Sequence, residues 1–414
     1  MGKAGRPKGV AVNTCTPEFA RLTAPIEGVR CDGNPFLTLR NPFALQHWTF
    51  PVIEALLIIG AIACLVHALR WYRRRGDSSN LVLWCALVLA LLLVEPVTYF
   101  PQWFGLQDQI GLVFAHGQFS VQFFFDRLPD YIVAMYPVFG YVAYALVQRT
   151  GIFTRYNAVV GATCVAFGFL CFFEVIDTVG PQWRWWVWNT EIPTAKPSMG
   201  VVPYASLQGF SLIVPFAIAL VTRISARTPA HGWQIVRNVV LASLGVWPLM
   251  VLSNVLSLAL GLGTSQQTGR FIATWLLISA AAAITAYAFV GAYRTRLHDP
   301  SITPKDVARD HFAAVCAIIY LAFGALFWIA ALPDYLAARN GVTPSGDPTG
   351  SLTFAVLNYL MSIAFTWGAY THSHGRRVIG RQPLTNHRSR LAQTRNANRH
   401  IPDTATHGAS RSDP

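Results

Sequence analysis

Two carboxylates three residues apart at the end of an apolar run, Glu174 and Asp177, have the types and spacing that chemistry needs. On a helix, positions three apart share a face. Neighbouring carboxylates in a poorly hydrated place repel each other, which leaves an acid beside a base, the equipment of general acid/base catalysis. Glu95, followed by Pro96, lies in another apolar run, and His116 lies in a shorter one. Ionisable side chains at membrane depth are costly and mark functional sites by default. Glu95, His116, Glu174 and Asp177 are therefore the candidate catalytic set. Asp126 and Asp130 would share a face if helical, although Arg127 and Pro129 suit a solvated loop. Glu54 reads as an interfacial residue.

Directly after Asp177 comes a stretch with four Trp, including Trp185, Trp186 and Trp188. Its plain reading is an aromatic belt at a membrane surface. Its sharper reading is a lid whose π faces stabilise a cationic intermediate. Trp103, Asp126, Asp130 and Tyr204 would lie near the same rim and complete a candidate substrate-binding set.

These residues must be positioned by membrane helices. Of the 414 residues 53% are hydrophobic and only 12% charged, which excludes a disordered chain and an ordinary soluble enzyme. Runs of roughly twenty apolar residues predict an all-α, polytopic transmembrane bundle of about nine spans. They fall near 50–69, 81–100, 131–147, 158–176, 203–224, 239–262, 271–293, 312–332 and 352–370. The stretch 110–125 is too short to span and predicts a re-entrant or interfacial outer helix. The domain division is an extracytoplasmic segment at 1–47, a helical domain at 48–370 and a basic disordered tail at 371–414. The tail carries eight Arg against two Asp.

The net charge of +13 would suggest nucleic acid in a soluble protein. Here the cations alternate between connections. Arg73–Arg75, Arg149, Arg227 and Arg294 belong to the rich, odd-numbered ones. The positive-inside rule then puts the N-terminus outside and the C-terminus in the cytoplasm of a plasma-membrane protein. Cys15 and Cys31 would face an oxidising compartment and could pair. No metal-ligand spacing, phosphate-binding loop or dinucleotide fingerprint occurs, so the reading includes no metal, no cofactor and no nucleic-acid partner. The expected partners are the bilayer and a hydrophobic small molecule or lipid.

The Glu95-Pro96 step with Tyr99 and Trp103, the acidic span end at Glu174, the Trp-rich loop and the return from Pro197 to Pro203 together resemble the AveC-like spirocyclases, a family of actinobacterial integral membrane proteins. The resemblance implies dehydration and spiroketal cyclisation of a polyketide-like or lipidic substrate. An uncharacterised lyase or cyclase of this kind would be a cofactor-free acid/base enzyme. The alternatives are a proton-coupled transporter or carrier of a hydrophobic small molecule, favoured by the proline-broken spans at Pro96 and Pro248, and a non-catalytic membrane scaffold subunit.

Overall fold

A computed structural model describes residues 14–26, 28–225, 230–298, 307 and 309–370; the tail at 371–414 and Arg227 lie outside them. Nine helices among these residues are long and apolar enough to cross a membrane. They are α1 Thr49–Arg75, α2 Ser79–Tyr99, α3 Asp130–Thr150, α4 Ala158–Asp177, α5 Tyr204–Ser225, α6 Trp233–Leu260, α7 Gln266–His298, α8 Phe312–Ala337 and α9 Leu352–Tyr370. The chain is thus an all-α, multi-pass bundle, as the hydropathy pattern predicts. Several helices overrun the expected ends by a turn or more. α1 continues through Arg73–Arg75 until Gly76 stops it in a left-handed conformation (φ 67°).

α3 and α4 form the centre, with 83% of each apolar window buried, against 22% for α6 at the rim. α3 packs on α1, α2 and α4, whereas α4 packs on α5, α7 and α9. α6 turns Val251, Leu252, Val255 and Leu258 outward, an apolar face suited to hydrocarbon surroundings. Two helices change course near prolines. α6 breaks at Gly245, just ahead of Pro248. α5 opens into a wide π turn over Gly209–Ile213, just ahead of Pro215, which has no N–H to offer the Ser211 carbonyl.

The outer helix expected over 110–125 does not form. The segment stays out of the spans but is extended, with β2 at Phe114–His116 and β3 at Val121–Phe123. Its backbone groups find partners elsewhere, so it needs no helix to satisfy them. β3 pairs with β1 (Leu37–Leu39) and β4 (Leu128–Pro129), and β2 pairs with β5 (Trp186–Trp188), all antiparallel. Asp126 and Asp130 accordingly share no helical face. Asp126 closes a run of three left-handed residues, Phe124, Phe125 and Asp126 (φ 51°, 57° and 62°), while Asp130 opens α3.

The segment at 14–47 is folded into this layer. Cys15 and Cys31 are joined in a disulfide, with Cα atoms 5.0 Å apart. The Arg127 guanidinium lies 3.1 Å from the centre of the Phe19 ring and donates to the Thr14 carbonyl. Arg40 donates to Asp126 and to Gln122, each at 2.6 Å. The N-terminal segment and the connections α2–α3, α4–α5 and α8–α9 thus form a cap over one end of the bundle. At the other end Arg149 donates to the Val307 and Asp310 carbonyls at 2.6 and 2.7 Å.

Left-handed backbone costs L-residues roughly 1–2 kcal/mol each, and the Arg40–Asp126 pair braces the turn that contains three of them. Arg40→Ala leaves a buried carboxylate without its partner. It is expected to cost about 3 kcal/mol, read as a lower thermal unfolding midpoint of the purified protein in detergent. An unchanged midpoint would show the brace to be dispensable.

Candidate functional site

The site forms where β2 and β5 lie across the cap-side ends of α2, α3, α4 and α5. Their register sets His116 opposite Trp186 and Phe114 opposite Trp188. Because side chains alternate along a strand, these four project from one face of the ribbon. Gly180 lets the Trp186 ring lie against the backbone, where a Cβ would collide with it. Beneath the ribbon is a cavity of about 40 Å³ lined by Glu95 of α2, Tyr136 of α3, Asp177 of α4, and Ser206 and Phe210 of α5. A buried water needs roughly 10–15 Å³, so about three waters, or the reacting end of a larger molecule, fit here.

His116 is held between two tyrosines. Its Nε2 is 2.9 Å from the Tyr99 hydroxyl and its Nδ1 is 3.2 Å from that of Tyr131. Burial pushes the imidazole pKa down to about 3, so the ring is neutral and has one donor and one acceptor. The Tyr99 hydroxyl also meets the Glu95 carboxyl. One assignment satisfies every group. Tyr131 donates to Nδ1, Nε2–H donates to Tyr99, and Tyr99 donates to Glu95. Shifting each proton by one bond along this line delivers a proton to Glu95 while the heavy atoms stay in place.

Four other polar atoms of the cavity-lining residues are unsatisfied. Asp177 Oδ2, Trp186 Nε1, Trp188 Nε1 and Ser206 Oγ are buried and have no hydrogen-bond partner among the described residues. Each such group costs roughly 1–3 kcal/mol, and all four residues line the one cavity. Two fixed donors, one acceptor and one hydroxyl therefore face a space that can take a polar guest.

Of the candidate catalytic set, Glu95, His116 and Asp177 meet at the cavity. Glu174 does not line it; its Oε1 accepts from Ser211 Oγ at 2.6 Å, within the π turn of α5. Of the substrate-binding set, Trp186 and Trp188 line the cavity and the others lie elsewhere. Trp185 is fully buried, with Nε1 donating to Thr49 Oγ1 at 3.1 Å. Trp103 stacks on Phe100 at 3.9 Å. Asp126 is held by Arg40, and Asp130 faces Glu54. Tyr204 packs with Val202, Leu207 and Phe354. Glu54, expected at the interface, is buried and accepts from the backbone N–H of Ser120 and Val121 at 3.0 and 3.2 Å.

Tyr131, Tyr136, Ser206 and Phe210 carry no signal in the sequence, because neutral residues in apolar runs have no burial cost that flags them. The i, i+4 step from Glu95 to Tyr99 was the available signal. At the far end, His67 meets Tyr141 at 2.7 Å and Asp310 at 2.8 Å. Burial alone would raise the Asp310 carboxyl, but His67 and Arg149 hold it below its ordinary range. No group of three His, Cys, Asp or Glu suited to a metal occurs among the described residues.

Beside the cavity lies a larger, mostly apolar recess of about 270 Å³ between α2, α5 and α6; Trp188, Ser206 and Phe210 line both. One family, described as Domain of unknown function (DUF7802), matches residues 39–338. No curated protein and no solved structure matches the chain.

A histidine kept neutral by burial penalises the fold wherever the unfolded chain can protonate it. With pKa values of about 3 folded and 6.5 unfolded, its stability contribution is intact above pH 6.5 and declines as pH falls from 6.5 towards 3. Between pH 7 and 5 this amounts to about 2 kcal/mol. His116→Gln is expected to lose less stability than the wild type over that interval by about this amount, measured by denaturant unfolding at both pH values. Equal losses would remove the neutral imidazole from the account.

Proposed function

The chain belongs to this family of unknown function, and from its geometry we propose that it is a membrane-embedded acid/base enzyme acting on a hydrophobic or lipidic substrate. The observation that carries the reading is that four residues with unpartnered buried polar atoms line the same cavity as Glu95 and His116. The Glu95 carboxyl gives its proton to a hemiketal hydroxyl of the substrate. The carbon–oxygen bond breaks and water leaves. The resulting oxocarbenium ion is stabilised by the Asp177 carboxylate and the Trp186 and Trp188 π faces. A second substrate hydroxyl forms the new carbon–oxygen bond, and its proton passes to Asp177. The net change is the loss of one water. Tyr131 lies within electrostatic reach of Asp177, so the line Tyr131–His116–Tyr99 is placed to return a proton to Glu95. Glu174, held by Ser211 outside the cavity, has no part in this scheme. Cyclisation of the kind implied by the resemblance to AveC-like spirocyclases is one reaction such a site can run.

The arginine distribution favours a plasma-membrane protein with the cap outside and the Arg149–Asp310 end in the cytoplasm. The site would then work at the outer leaflet, closed to the cytosol by the α3–α4 core.

The test compares lipid extracts of cells producing the wild type, Glu95→Gln or Asp177→Asn. The wild type should yield a product lighter than its precursor by one water. Either folded variant should lower the yield by roughly 10²–10⁴-fold. Indistinguishable extracts would sink the enzyme reading. If proteoliposomes of the same protein took up protons together with a hydrophobic solute, the carrier reading would replace it.

A further inference from the structure

Among the described residues, the buried arginines other than Arg270 lie over an aromatic face: Arg149 is 3.9 Å from the Tyr370 ring centre, and Arg127 lies over Phe19. Arg270, near the cap end of α7, differs. It is 4% exposed, and no carboxylate pairs with it among the described residues. Its Nη1 donates to the carbonyls of Pro193, Thr194 and Lys196 at 2.9, 3.3 and 2.7 Å. Carbonyl dipoles hold the guanidinium in place but supply no net negative charge. The edge formed by Nε and Nη2, the side that grips a carboxylate with two parallel bonds, has no hydrogen-bond partner among the described residues.

Arg270 lines the apolar recess beside the reaction cavity. The recess has a polar end and an apolar end. Arg270 and Thr194 stand at the cap level, while Val94, Trp247, Met250 and Val251 lead along α2 and α6. No acidic residue lines it. Val251, exposed on the outer face of α6, places its side towards the lipid. About 270 Å³ lies just under the roughly 300–1,000 Å³ of ordinary ligand pockets, which suits one hydrocarbon chain better than the paired chains and glycerol of a phospholipid.

We propose that this recess binds a single-chain lipid carboxylate, a fatty-acid-like molecule, with its carboxylate on the Nε–Nη2 edge of Arg270 and its chain along α6. Charge complementarity commits the occupant: one buried cation without a carboxylate partner among the described residues heads a mostly apolar recess that holds no acidic side chain. The middle of the bound chain then lies against Trp188, Ser206 and Phe210, the wall shared with the cavity. A hydroxylated chain could present its hydroxyl there to Glu95 and Asp177. That last point rests on the acid/base reading, whereas binding itself does not.

The test is equilibrium binding of radiolabelled palmitate to the purified full-length protein in detergent, with methyl palmitate as the uncharged control. Saturable palmitate binding is expected, with methyl palmitate weaker by about tenfold or more. Arg270→Gln should weaken palmitate by a similar factor and leave methyl palmitate unchanged. Because Arg270 also pins the 193–196 loop, Val251→Trp serves as a second variant; it narrows the recess from the lipid side and should abolish binding of both probes. Equal binding of palmitate and its ester would overturn the carboxylate assignment, and saturable binding that survives Val251→Trp would overturn the recess. The measurement involves no turnover. A failed water-loss assay with intact palmitate binding would therefore reject only the chemistry, and the reverse only this lipid.

Discussion

The antiparallel pairing of Phe114–His116 with Trp186–Trp188 is the constraint on which the site depends. Side chains alternate along a strand, so a slip of one residue would turn either His116 or the Trp186–Trp188 pair away from the helix ends and separate them. The ribbon is only three residues long on each side. Neighbouring contacts therefore have to hold its register. Gly117 N–H donates to the Trp185 carbonyl at 2.9 Å, and Asn189 N–H donates to the Val113 carbonyl at 2.9 Å. Arg184 pairs with Asp347 of the α8–α9 connection, which ties the Trp-rich loop to a third part of the cap.

Many buried polar groups in the cap find partners, although Asp126 Oδ1, Arg127 Nε, Asp130 Oδ1 and Gln182 Oε1 do not among the described residues. Glu18 accepts from Gln107 and Asn189, each at 2.7 Å, and Glu54 is ringed by donors of the 120–121 backbone. Arg127 is the extreme case. Burial lowers its pKa to about 9, and two aromatic rings replace the water it has lost. Against this background the polar atoms without partners are informative because four of them are gathered at one cavity. Unpaired groups cost stability, and these four residues share one lining.

The two ends of the bundle are chemically different. At the far end Tyr141, His67 and Asp310 form a hydrogen-bonded set in contact with one another, and Arg149 caps the same corner through carbonyls. Between the ends run Leu87, Phe139, Val142 and Phe169, all buried apolar residues. Buried hydroxyls such as those of Tyr136, Tyr144, Ser211 and Tyr320 are set among them.

Hydropathy alone determined the nine spans, because hydrocarbon offers backbone groups no partners and forces each long apolar run to be helical. The cost of burying charge likewise pointed to Glu95, His116 and Asp177 before any geometry was known. What the sequence could not decide was pairing at long range. Ile110–Phe125 looks helical by its apolar content, yet it is extended because β1 and β5, distant in sequence, satisfy its backbone. Glu174 and Asp177 look equivalent by spacing, yet only Asp177 reaches the cavity, since Ser211 in the wide turn of α5 takes Glu174. The tyrosines that complete the His116 line are neutral and apolar in composition. Tertiary structure alone decided which hydroxyls turn inward, because that choice depends on how helices α2 and α3 face the ribbon.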